Sequence, residues 1–399
     1  MEKNNHYPLE GVTVLDFGQV YHGPYCGFLL AMAGAHVIKI EPKTGEHLRN
    51  RGTGDIITLP FAMLNSNKKC VTLNIKTDRG KEVLKQMAEK ADVLMENFAP
   101  TVMDRLELGY EVMKKINPKL IYASGSGFGR TGPHRDKLAM DLTVQAVSGV
   151  MSVTGEMDGP PLKAGAAFCD FMAGVHLYAG ITTALFEREK TNKGRLVEIS
   201  MEEAVYQSLG SNLGIVYNTK KAAPRTGNRH GGLSLCPYNV YESKNGHVAI
   251  ICSNDGHWQR LCSAMERPDL ADKDDYKRNM GRVAEMDTID TIINDWTKTL
   301  SDEEVDQLND KFGVPSERIR DLLEVMNDPH MHQRGALQRM DHPEMGNIVV
   351  PHSALRFPET PLLPLEPSGL IGAHNDEIYG DWLGLSGEEV GELRAEEVI

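Results

Sequence analysis

Between Val12 and Ser124, short apolar runs alternate with stretches of helical pattern. Val12–Asp16, His36–Ile40, Cys70–Ile75, Asp92–Glu96 and Leu120–Ser124 read as strands, with helices at about Pro24–Ala33 and from Asp78 to about Lys90. Near-continuous apolar strands joined by helical crossovers pair in parallel and need both faces covered. The expectation is an α/β, Rossmann-like domain. Ligands of such sheets bind outside the carboxyl ends of the strands. That rule selects four loops: Gln19–His22, Glu41–Asp55, Asn97–Phe98 and Gly125–Pro133.

The first strand–helix–strand unit ends in an acid, Glu41, as dinucleotide-binding units do. Its first loop, Gly18-Gln19-Val20-Tyr21-His22-Gly23, is not GxGxxG. A literal GxGxxG occurs later, in Gly127-Phe128-Gly129-Arg130-Thr131-Gly132, but Pro133 and a polar run follow instead of an apolar helix. A plain crossover is the better reading of the first loop. The second reads as flexible backbone that lets a ligand approach closely.

Composition narrows the field further. The 399 residues suffice for two domains, and the net charge of −13 argues against nucleic acid as the main partner. No apolar run reaches membrane-spanning length, and the first residues carry no signal-peptide pattern. The six cysteines are scattered without a CxxC pair, so they read as reduced thiols in a cytoplasmic protein, and no metal site is expected. A basic, Gly-containing connector (Lys220 to Gly232) marks a boundary. Residues 1–218 are expected to form the large domain, 219–330 a small α+β domain with a hairpin at Asn245-Gly246, and 331–399 a return to the large domain. The return would use short strands, a proline-rich linker and an acidic helical tail.

One carboxylate stands out. In Ala164-Gly165-Ala166-Ala167-Phe168-Cys169-Asp170, small residues lead to an acid from which a helix is expected to start. The helix dipole would hold Asp170 ionised. The residues leave open whether it is a nucleophile or an N-cap. Cys169 lacks a Cys–His signature, and Ser200 is explained by a capping box with Glu203.

The chain resembles class III coenzyme A transferases of the formyl-CoA:oxalate and carnitine type. The likeness runs nearly end to end, through Pro8-Leu9-Glu10-Gly11, Gly34–Pro42, Asn65-Ser66-Asn67-Lys68-Lys69, Glu96-Asn97-Phe98-Ala99-Pro100, Gly127–Pro133, Asp141, Asp170 with Gly174, and Gly227-Asn228-Arg229-His230. The resemblance implies that Asp170 attacks an acyl-CoA thioester, passing through a mixed anhydride and an aspartyl-CoA thioester. CoA contacts would come from Gln19, Val20, Tyr21, His22, Lys76, Asn97, Phe98, Arg105 and Met201. CoA thioesters would be substrates, with no tightly bound cofactor, and the partners an acyl-CoA and a small carboxylate. The family forms interlocked homodimers. Gln19 and Pro42 depart from the formyl-CoA transferase pattern, which has histidine and arginine there, so Lys68 and Lys69 are candidates for the phosphates. Arg229 and His230 are candidates for a second carboxylate of a dicarboxylic acceptor. α-Methylacyl-CoA racemases share the fold but need a histidine where this chain has Met140, which cannot move a proton. A catalytically idle CoA-binding protein is the third reading.

Overall fold

The structure, a computed structural model, describes residues 6–49, 51 and 57–399. The chain divides into two compact units: residues up to 144 with 166–205 and 326–399, and residues 145–165 with 206–325. Of the expected Glu41–Asp55 loop, Asn50 and residues 52–55 lie outside the described residues, as does residue 56.

The first unit is built on six strands: β1 (Thr13–Asp16), β2 (His36–Glu41), β3 (Lys69–Thr72), β4 (Val93–Glu96), β5 (Ile121–Ser126) and β6 (Leu196–Ser200). Their order is β3-β2-β1-β4-β5-β6, and every pairing is parallel. The parallel α/β expectation is met. β3 stops at Thr72 instead of Ile75, because the Asn74 N–H donates to the carbonyl of Val398 at 2.7 Å. A partner at the far end of the chain leaves no local signal.

Side chains alternate across the sheet with period two. Leu15, Ile38, Val71, Leu94 and Tyr122 face one core, and Val14, Val37, Val93 and Ile121 face the other. The first core is closed by Val83, Leu84 and Met87 of the helix Asp78–Lys90, and by Ile378, Tyr379, Leu383 and Leu393. The acidic C-terminal tail is therefore a core layer, made of the π-helix Asp376–Trp382 and the helix Gly387–Ala395. The second core lies under the helices His22–Met32 and Phe168–Thr191. These two approach closely at Gly174, where a Cβ would stand 2.9 Å from the carbonyl oxygen of His22.

Charges are buried beneath the β1 loop. Lys68 Nζ donates to Asp16 Oδ2 (2.8 Å), Pro24 O (2.9 Å) and Asn65 Oδ1 (3.0 Å), using all three of its donors. Both partners of the ion pair have fully buried side chains. Lys68 is thus not available to a phosphate, and Lys69 pairs with Glu377 at 3.0 Å. The pair fits only because residue 27 is glycine; a Cβ there would lie 2.4 Å from Asp16 Oδ2.

The second unit carries an antiparallel sheet of β7 (Tyr238–Glu242), β8 (His247–Ile251) and β9 (Ser316–Arg318). The hairpin forms around Asn245-Gly246 as expected, and Ser301 with Glu304 makes a full capping box. Trp258, Ile289, Ile293 and Val305 centre its core. A 3₁₀ turn at Gln207–Leu209 separates the helices Met201–Tyr206 and Gly210–Thr219. Among the described residues no helix is long and apolar enough to cross a membrane.

Lys68→Met would strand the Asp16 charge in the core. Breaking a buried pair this way costs about 3–5 kcal/mol. Thermal unfolding of the variant is expected to show a midpoint many degrees lower, with partial recovery when Asp16→Asn is added.

Candidate functional site

The carboxyl end of the sheet is where the first unit gathers its polar loops. β1 and β4 are neighbours whose crossovers leave in opposite directions, the position at which doubly wound sheets open a crevice. Asn97 ties the two loops together. Its Oδ1 accepts from the Gln19 N–H at 2.7 Å, and its Nδ2 donates to the Gln19 carbonyl at 3.0 Å. Below it, Asp16 Oδ1 accepts from the Gly18 N–H at 2.6 Å, and Lys39 Nζ donates to the Gly18 carbonyl. Gly18 and Gly23 cross so closely that a Cβ on either would overlap the other's backbone. Val20 is held at φ 61°, a left-handed conformation that costs a β-branched residue energy and marks a loop fixed by its surroundings.

Two cavities open there. The smaller, about 170 Å³, is lined by Gln19, Val20, His22, Asn97, Phe98 and Met201 of the expected CoA contacts, together with Asp170. Ala99, Pro100, Ser126, Gly127 and the segment Lys137–Met140 complete its wall. The larger, about 460 Å³, contains Gln19 and Phe98 again, with Lys43, Lys76 and the apolar Ile40, Leu73, Ile75 and Leu106. Phe98 is placed by Glu96, whose Oε2 accepts from its N–H at 2.8 Å. Tyr21 lines neither cavity; its ring stacks on Phe171 at 6.0 Å between centroids. Arg105 is exposed and also lines neither.

Asp170 differs from its sequence reading in two respects. The helix starts at Phe168, with Ala167 as an N-cap that offers no side chain. The cap comes from a distance: Asp141 Oδ2 accepts from the N–H groups of Cys169 (2.9 Å) and Asp170 (3.3 Å). Asp170, in the first turn, is freed from capping and faces the cavity, 7% exposed. The helix dipole does not keep it strongly acidic. Burial, and secondarily the Asp141 charge, push its carboxyl up to about 7. Cys169 is pushed up to about 12 by burial and by the same two acids, so it is an unreactive thiol.

In the second unit, Arg229 is paired with two acids. Its guanidinium donates to Asp290 Oδ2 and Asp287 Oδ1, each at 2.7 Å. His230 is held by Ser211, Ser234 and the Gly232 N–H. Three features escaped the sequence: the remote cap from Asp141, Lys137 in the wall of the Asp170 cavity, and Glu397 in the larger cavity. Only tertiary contact joins Glu397 to Lys43, at 3.6 Å.

The chain belongs to CoA-transferase family III, whose model matches residues 9–375. It is 35% identical to formyl-CoA:oxalate CoA-transferase of Streptomyces avermitilis, over 98% of this chain and 99% of that protein. It is 36% identical to succinyl-CoA:mesaconate CoA-transferase of Haloarcula hispanica, over 94% and 96%. Among solved structures, a CAIB/BAIF family protein from Brucella suis superposes with a TM-score of 0.82 at 29% identity, over 94% of this chain and 99% of that one. The protein is an enzyme, a class III CoA-transferase.

A carboxylate whose folded value exceeds its unfolded one, about 4, weakens the fold as pH rises from there through 7. Asp170→Asn is therefore expected to raise the thermal midpoint at pH 8 by a few degrees, on the order of 1–2 kcal/mol, with the gain vanishing toward pH 4. Midpoints measured for both proteins across that range check the sign.

Proposed function

We propose that this enzyme moves CoA from an acyl-CoA to a small dicarboxylic acid, with Asp170 as the covalent nucleophile. The observation that carries the reading is the placement of a buried carboxylate in the lining of one cavity that shares Gln19 and Phe98 with a wider, lysine-edged one. The wider cavity suits the nucleotide of CoA. Its apolar walls fit adenine, and Lys43 and Lys76 at its edge fit phosphates. The pantetheine arm would run past Phe98 to Asp170.

The chemistry follows from the carboxylate. An Asp170 oxygen attacks the thioester carbonyl, the C–S bond breaks, and CoA leaves as thiolate. The thiolate attacks Cγ of Asp170 in the anhydride, releasing the donor acid and leaving an aspartyl-CoA thioester. The acceptor carboxylate attacks the same carbon and expels the thiolate, which then takes the acceptor's acyl carbon and frees Asp170. A carboxyl group near 7 suits this cycle, since its anion is more nucleophilic than that of an ordinary carboxylate yet forms at neutral pH. The anhydride step requires that water be kept from the reacting atoms.

The acceptor class rests on two supports. The relatives above are named for oxalate and mesaconate, both dicarboxylates. Lys137 also brings a cation to the wall of the Asp170 cavity, where a second carboxylate would lie. We further propose an interlocked homodimer, in keeping with exposed apolar side chains such as Leu138, Phe186, Tyr217 and Leu322. Light scattering should then give about twice the 44.2 kDa chain mass.

Asp170→Ala is expected to lower kcat by about 10³-fold or more. Mass spectrometry of wild type with acyl-CoA alone should find CoA bound through Asp170; transfer surviving in the variant would overturn the mechanism. A screen of donor and acceptor acids names the substrates. In wild type, kcat/KM should fall on the acid side through about 7 as Asp170 takes up its proton. Asp141→Asn, which removes the neighbouring charge, should move that midpoint down.

A further inference from the structure

Glu96 is a buried acid with no part in the transfer chemistry above. It ends β4, 1% exposed, opposite Ser124 of β5. A buried carboxylate needs hydrogen bonds to offset its lost hydration. One oxygen of Glu96 accepts from the Phe98 N–H at 2.8 Å, and the Ser124 hydroxyl donates to the same carboxyl group. Arg130 extends this line of contacts. One guanidinium nitrogen reaches Ser124 Oγ at 3.5 Å, and another donates to Asp104 Oδ2 at 2.9 Å. Asp104 belongs to the short helix Val102–Arg105, just after Phe98. The backbone N–H of Arg130 is itself fixed by Glu198 Oε1 of β6 at 2.7 Å.

This polar seam joins two stretches of the lining of the Asp170 cavity. Phe98, Ala99 and Pro100 follow Glu96, and Ser126 and Gly127 follow Ser124. Phe98 also lines the larger cavity with Phe17, the two ring centroids 6.2 Å apart. Phe98 lies beyond the end of β4, where the sheet no longer orders the backbone, so the Glu96 carboxylate supplies the bond that fixes it.

We propose that Glu96 is a positioning residue of CoA transfer, holding Phe98, through its N–H and with the support of Ser124, where that side chain grips the arm of the acyl-CoA. The proposal rests on the reading that the two cavities take CoA. Glu96 acts through Phe98 and not on the reacting atoms. Its effect therefore falls on binding of the thioester, for donor and product alike, and spares the acid. Binding shared by ground and transition states appears in KM and leaves kcat.

The test uses the whole enzyme. Glu96→Gln keeps an acceptor for the Phe98 N–H, Glu96→Met fills the same length without one, and Phe98→Ala removes the side chain that is held. Glu96→Met is expected to raise the KM for acyl-CoA about tenfold, with kcat and the KM of the acceptor acid within about threefold of wild type. Glu96→Gln should stay within about threefold in all three constants. Phe98→Ala should raise the acyl-CoA KM at least as far, and adding Glu96→Met to it should change little more, since both remove one grip. A Glu96→Met enzyme that is merely less stable, with its acyl-CoA KM unchanged, overturns the proposal. So does a defect confined to kcat or to the acid, or one that adds in full to that of Phe98→Ala. Should Glu96→Met fail to fold, Ser124→Ala decides: the acyl-CoA KM is expected to rise about threefold or more, and an unchanged value overturns the proposal. An unchanged acyl-CoA KM in Phe98→Ala would instead take CoA out of these cavities and sink the underlying reading together with this one.

Discussion

The buried pair of Asp16 and Lys68 is the interaction on which the site depends. A parallel sheet delivers strand ends to one edge but does not shape the loops that leave them. Asp16, the last residue of β1, extends the order of the strand into the loop. One oxygen takes the Gly18 N–H and the other takes Lys68. Lys68 carries the constraint to Pro24, at the start of the next helix, and to Asn65. Gly18, Gly23 and Gly27 make room for charges and backbone that side chains would push apart. The loop Gln19–His22 is thus fixed from below by ions and from the side by Asn97.

From this platform the Asp170 environment follows. The close approach of the helices at Gly174 brings the start of one, with His22, beside the start of the other, with Asp170. Both side chains are held in electrostatically unfavourable states. An acid is raised by burial and by a second acid, and an imidazole nitrogen is left without a partner among the described residues. Such strain persists because the surrounding core over-determines it. Asp141 plays two parts, satisfying the helix N–H groups while making the neighbouring carboxylate more basic.

Much of this was legible in the residues. The strand–helix alternation gave the parallel sheet, because period-two burial and crossover length are local properties. Six of the nine expected CoA contacts, Gln19, Val20, His22, Asn97, Phe98 and Met201, share a cavity with Asp170, since each lies at or just beyond a strand's carboxyl end. Lys76 lines the second cavity, whereas Tyr21 and Arg105 line neither. Lys68 and Arg229 read as candidate anion binders because sequence shows a charge but not its counter-ion. Asp16 in one case, and Asp287 with Asp290 in the other, lie far away along the chain.

By itself the sequence determined the α/β class and the family, both of which depend on residue type and short-range order. Tertiary structure alone decided the proton affinity of Asp170, the availability of each cation and the unsatisfied nitrogen of His22. Those properties are set by desolvation and by partners brought together only when the chain closes on itself, such as Asp141 beside Asp170 and Glu397 beside Lys43. A residue's identity is written locally; its charge state and its freedom to bind are properties of the packed surroundings.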